Sequence, residues 1–269
     1  LWRWPPHVER FKGTLTVTST GVTLDRSVLL MGQTSKANGG SRGRFGEGLT
    51  LALLALARGG FGVRIENGGE AWAPALEYSD TWGADVLVVS TRKLGQHRDH
   101  FKVEIDGVGP SDWEEIRRRT ILLPGSIAKG ETVIPVGDDR ILPDRPGQIF
   151  CRGLWIATYK DFNCGYDLHQ IELDRDRRMV EEWRLRSRTA QIWASAMADD
   201  RLRADTTIRV RTLLHGAASD VAAMGDQIRY GYGMGTDAVK TAITEMWETD
   251  HGKDAVPVTS TAEADQAEA

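Results

Sequence analysis

Residues able to grip an anion are concentrated in one segment. Gly32-Gln33-Thr34-Ser35-Lys36 combines hydroxyls with a lysine, and Gly43-Arg44-Phe45-Gly46-Glu47-Gly48 follows directly before the apolar run Leu49-Thr50-Leu51-Ala52-Leu53-Leu54-Ala55-Leu56-Ala57. Glycines let backbone N–H groups approach a phosphate chain closely, and the amides that open a helix carry partial positive charge. The chemistry this segment suits is phosphate binding. A glycine-rich helix entry is by itself also an ordinary turn, so its surroundings must decide. Glu47 in this setting orders the loop or stabilises the helix N-terminus rather than acting as a base.

The elements that would position this segment follow from local pattern. Residues 13–17 alternate threonine with apolar side chains and predict a half-buried strand, with a turn at Ser19-Thr20-Gly21. A short helical stretch is expected over 25–31, and 32–48 is too irregular for helix or strand. Residues 49–58 are strong helix formers that stop at Gly59-Gly60, the place for a left-handed cap, so they predict a buried helix. Asn67-Gly68 marks a hairpin, and 85–90 reads as an apolar strand suited to a sheet interior. Ser111-Asp112-Trp113-Glu114 has capping-box spacing and places a helix start near the first domain boundary. Short apolar stretches broken by Pro and Gly over 124–166 predict a strand-rich second unit, and helices are expected from about 177, over 220–228 and over 237–247. The polar, acidic end from 253 reads as a tail.

In order and content, this series resembles the ATP-binding domain of the GHKL superfamily, which comprises gyrase, Hsp90, histidine kinases and MutL, and the likeness covers roughly residues 13–108. The resemblance implies an α/β (α+β) fold: a Bergerat-type α/β sandwich over 1–115, a smaller β-containing transducer-like domain over 116–180, and a helical part over 181–252. It implies an ATP-binding protein, a Mg2+-dependent ATPase whose glycine-rich lid signals to the second domain. In that likeness Gly43, Arg44, Phe45, Gly46, Glu47, Gly48 and Leu49 match the second glycine box, and Gly32, Thr34, Ser35 and Lys36 the rest of the lid. Ser19, Gly21 and Thr23 fall where the family has its adenine-binding Asp-x-Gly-x-Gly box.

Two departures bear on activity. Ser19 stands in place of the aspartate and Thr23 in place of the second glycine, which weakens adenine recognition by the ~1.5–3 kcal/mol of a hydrogen bond to a charged group. The family's upstream helix, whose glutamate activates water and whose asparagine holds magnesium, has no counterpart among the residues before Gly13. Either that helix precedes Leu1, or the domain is a degenerate, non-catalytic interaction module. Without those two groups hydrolysis would be very slow. In the second unit Arg175 and Arg177 occupy the position from which a transducer-domain cation reaches the γ-phosphate, although alternating Asp and Arg over 174–178 more simply make a solvated salt-bridge cluster.

Other clusters favour plainer readings. His97, Asp99 and His100 lack the further ligands a metal site needs. Arg117-Arg118-Arg119 adjoins Glu114 and Glu115 as a charged helix face, and Gly231-Tyr232-Gly233-Met234-Gly235 is an interhelix turn. With 269 residues, 27% charged side chains and a net charge of -4, nucleic acid is not indicated as a partner. Expected partners are ATP, a second copy of the chain and a protein of unknown identity. Cys151 and Cys164 form no paired motif, and no run approaches the length of a bilayer span, so a cytoplasmic location is expected.

Overall fold

The computed structural model describes residues 13–30, 47–169, 171, 182–224 and 236–255. The chain is α+β and divides into two compact units, Leu1–Ile116 and Arg117–Ala269. Among the described residues no helix is long and apolar enough to cross a membrane.

The first unit is built on a five-stranded antiparallel sheet. Its strands are β1 (Gly13–Thr20), β2 (Gly62–Asn67), β3 (Glu70–Ser79), β4 (Ala84–Lys93) and β5 (His100–Val108), in the spatial order β1-β5-β2-β3-β4. Alternation along the strands separates two faces. Val63, Ile65 and Trp72 point to one face and are buried with Leu53 of helix α1 (Gly48–Arg58), with Leu87, Val89, Phe101 and Val103 packed around them. Arg64, Glu66, Lys102 and Glu104 occupy the other face and pair with one another or with Arg98. Helix α1 stops because Gly60 adopts φ +73°, which lets Phe61 N donate to the Leu56 carbonyl across the last turn.

Four local expectations are corrected in this unit. Strand β1 continues through Ser19 and Thr20, which pair with Phe101 and His100, so the turn begins at Gly21. The strand is also more exposed than half-buried, with Val17 53% accessible. β4 lies at the sheet edge rather than in its interior. Helix α2 (Pro110–Arg118) begins at Pro110, whose missing N–H costs nothing at a first helical position, and Asp112 reaches back to accept from Gly109 N at 2.9 Å.

The second unit holds β6 (Ile134–Val136), β7 (Asp139–Leu142), β8 (Gln148–Cys151), β9 (Leu154–Thr158) and β10 (Gly165–Leu168) in the order β6-β7-β10-β8-β9, with β10 parallel to β8. Helices α3 (Glu182–Ala198), α4 (Arg203–His215) and α5 (Thr236–His251) share one core with this sheet, in which Ile141, Ile149, Tyr166 and Leu168 meet Leu185, Trp193, Met197, Val210 and Val239. Leu142 and Phe150 are buried with Ile121 in a second, smaller cluster. Residues 219–223 form turns instead of the expected helix start, and the Asp220 carboxylate accepts from Asn163 N, Cys164 N and Tyr166 Oη.

Candidate functional site

The expected site gathers around the turn that leaves β1. Gly21 has φ +69°, a backbone conformation that side chains resist, and its N–H donates to the Asp99 carbonyl at 2.9 Å. The following residues are extended and lie against the β2–β3 hairpin. There the buried Asn67 clamps Leu24 from both sides: its Oδ1 accepts from Leu24 N at 2.8 Å and its Nδ2 donates to Leu24 O at 2.7 Å. Gly68 takes φ +60°, a conformation that strains any side chain, and a Cβ there would lie 3.0 Å from His97 Cε1 and 3.1 Å from Thr23 Cγ2, so Thr23 and His97 crowd the hairpin turn. Asp25 then caps a single 3-10 turn, Arg26–Leu29, by accepting from Ser27 N; hydrogen bonding from the Ser27 side chain first, and from this backbone N–H second, holds its carboxyl below the usual aspartate range. Arg26 grips Glu70 with Nε and Nη2, and Glu70 also accepts from Trp72 Nε1. This network runs from the exposed turn into the core.

The start of α1 is tied to the end of that 3-10 turn. Thr50 Oγ1 donates to the Leu29 carbonyl at 3.0 Å, and Leu51 N donates to Glu47 O. Leu29 and Thr50, though 21 residues apart in the chain, are therefore neighbours. Glu47 occupies the N-cap position, but its side chain does not cap the helix. The amides of Gly48 and Leu49 open the helix, where the dipole favours an anion, while the Leu49 side chain packs against the core.

Of the expected site residues, Gly21 and Thr23 are thus brought to one side of the hairpin, and Glu47, Gly48 and Leu49 to the helix start. Ser19 is exposed on β1, paired with Phe101. Gly32, Thr34, Ser35, Lys36, Gly43, Arg44, Phe45 and Gly46 lie outside the described residues, as do Arg175 and Arg177. No family model matches the chain, and no curated protein matches it.

The histidines have structural partners. His100 Nε2 lies 3.2 Å from Glu66 Oε2, which also accepts from Arg98, and these contacts, His100 foremost, lower the Glu66 carboxyl. Among the described residues no group of three His, Cys, Asp or Glu side chains could hold a metal ion. In the second unit the buried Asp139 accepts from His169 N and Arg188 Nη2, and Arg152 Nε donates to the His169 carbonyl. These contacts fix the exit of β10.

Sequence reasoning passed over Asn67 and the Arg26–Glu70–Trp72 chain. Asn67 reads as a turn residue beside Gly68, and nothing local signals that its amide holds a segment 43 residues earlier. The available hint was Glu70 two residues before a tryptophan, the spacing that lets a strand carboxylate reach an indole N–H on its own face.

Proposed function

We propose that the first unit binds a nucleoside triphosphate, ATP with Mg2+, as a GHKL-type module of the Bergerat kind. The observation that carries this reading is the Thr50–Leu29 hydrogen bond. It holds Leu29, at the end of the 3-10 turn, against the first turn of α1, which supports a site where phosphates would meet the amides of Gly48 and Leu49. Fit to the metal is a different matter. No described residue set supplies magnesium ligands. Magnesium in this reading would arrive on the phosphates, and no hydrolytic step is assigned to residues of this chain.

A second reading, a non-catalytic interaction module, is favoured by Ser19, which lies in the β1 ladder and offers no carboxylate to an adenine amino group. Calorimetry with Mg-ATP and a non-hydrolysable analogue separates the two, with Gly48→Asp as the control. A carboxylate in the first turn stabilises a helix, by about 0.3–1 kcal/mol, yet repels a phosphate. Binding by the wild type that disappears in a folded Gly48→Asp variant supports the nucleotide site. No binding at millimolar nucleotide sinks it and leaves the interaction module. Phosphate release measured in the same samples reports whether the ATPase reading also holds.

A further inference from the structure

Strand β4 pairs with β3 over all ten of its residues, from Glu70↔Lys93 to Ser79↔Ala84, without a bulge. Among the described residues no strand lies beyond it. Its centre is Val86-Leu87-Val88-Val89, with no proline and no charge, so its outer edge offers a row of backbone donors and acceptors beside apolar side chains. Leu87 and Val89 pack towards the core under α1. Val86 and Val88 alternate onto the opposite face, where Val88 neighbours the exposed Ala75. Tyr78 and Trp82, 67% and 77% accessible, project at the end of the same hairpin.

The charges on β4 are separated by end. Asp85 lies near its start and Arg92 and Lys93 at its finish. Within the chain Lys93 faces Glu70 across the ladder, whereas Asp85 faces Tyr78 and has no cation opposite it on β3. We propose that β4 pairs antiparallel with β4 of a second copy of this chain, with Val89 on the two-fold axis, joining two five-stranded sheets into one. In that register Asp85 of each copy meets Lys93 of the other, Leu87 meets Thr91, and Val88 meets Ser90. Parallel pairing would set Asp85 beside Asp85 and Lys93 beside Lys93, which is unfavourable for like charges directly opposite. Moving the axis to Val88 sets Asp85 against Thr91, and moving it to Ser90 carries Asp85 beyond Lys93. All three axes keep α1 of both copies on one face, but only the Val89 axis matches both charges.

Exposed ion pairs contribute little attraction, so these charges set direction and register. The attraction comes from the completed backbone ladder and from covering Val86 and Val88. The same register runs the turn that carries Trp82 alongside residues 94–96 of the second copy. The pairing requires no nucleotide and does not depend on the function proposed above.

The test is sedimentation velocity of the full chain without nucleotide across micromolar concentrations, with hydrogen exchange of the β4 amides in the same samples. The expected result is a species of twice the chain mass, with β4 amides that lose protection on dilution. Asp85→Lys should weaken the dimer about tenfold or more, since it places like charges opposite one another twice. Adding Lys93→Asp to that variant should restore the dimer. A wild type that stays monomeric at every concentration overturns the proposal, as does a dimer whose β4 amides exchange as fast as in the diluted protein. A dimer indifferent to Asp85→Lys places the contact elsewhere and equally overturns it.

Discussion

Replacing Asn67 by alanine tests whether the hairpin holds the turn that leaves β1. The change removes the acceptor at 2.8 Å from Leu24 N and the donor at 2.7 Å from Leu24 O. A net hydrogen bond contributes about 0.5–1.5 kcal/mol, and a buried group left without a partner costs about 1–3 kcal/mol. Leu24 is half-buried, so water recovers part of that loss, and the local cost should be about 2–3 kcal/mol. Hydrogen exchange read at the Leu24 amide by NMR is the direct assay. Since each 1.4 kcal/mol is tenfold, protection should fall by about 30- to 150-fold. β2 and β3 should lose less, because their ladder and the Trp72 core remain. An unchanged Leu24 exchange rate in Asn67→Ala would refute the clamp, whatever happened to global stability.

Asp220→Asn should lower the urea midpoint of the second unit by the equivalent of about 2–3 kcal/mol, because Asn163 N, Cys164 N and Tyr166 Oη all donate to that carboxylate and an amide turns one oxygen into a donor; a midpoint equal to wild type would show the network to be idle. Burial, with Asp220 nearby, pushes the Cys164 thiol up to about 12, so a thiol reagent at pH 8 should leave it unmodified in the folded chain and label it once urea is added, as mass spectrometry would show. Glu66 is held below the usual glutamate range, first by His100, so its contribution is present above that range and is lost as pH falls through its lowered folded value. Urea midpoints of the first unit measured down an acid series should therefore fall less steeply in Glu66→Gln than in wild type; parallel slopes would contradict the assignment.

Legibility in the sequence tracked how local each cause is. The 49–58 helix could be read because strong helix formers run unbroken into Gly60, and the turn at Gly68 because Asn-Gly is a local hairpin signal and Gly68 takes the positive φ, +60°, that the turn needs. Helix α4 lay within the helical part expected over 181–252 but was not picked out as an element, for the opposite reason. Its buried positions are Thr206, Val210 and Leu213 among charged neighbours, and Thr206 becomes acceptable in a core only because its hydroxyl donates back to the Leu202 carbonyl. β4 misled because a Val-Leu-Val-Val run reads as an interior strand. Its pattern states how apolar the strand is but not what lies beside it. The Asn67 clamp and the Asp220 hub are invisible for a third reason: their partners are 43 and more than 50 residues away, and long-range polar pairing leaves no period in the sequence.

The two units differ in how much they bury, and that difference gives the nucleotide reading a spatial test. Among the described residues, the first unit's core has four buried apolar side chains, Leu53, Val63, Ile65 and Trp72. The second unit's core extends from Ile141 and Tyr166 through Trp193 and Met197 to Val239. Each side chain of this size contributes about 1.5–3 kcal/mol when buried, so amides of the first unit should exchange sooner. A ligand that binds only the folded first unit raises its opening free energy by about 2.7 kcal/mol at a hundredfold excess over the dissociation constant. Mg-ATP at that excess should therefore slow exchange in β2, β3 and α1 by about a hundredfold wherever exchange requires that unit to open, and leave the β8 and β10 amides unchanged. Slowing confined to residues 117–269 would put the nucleotide in the other unit and remove the Gly21 turn and the α1 start from the site.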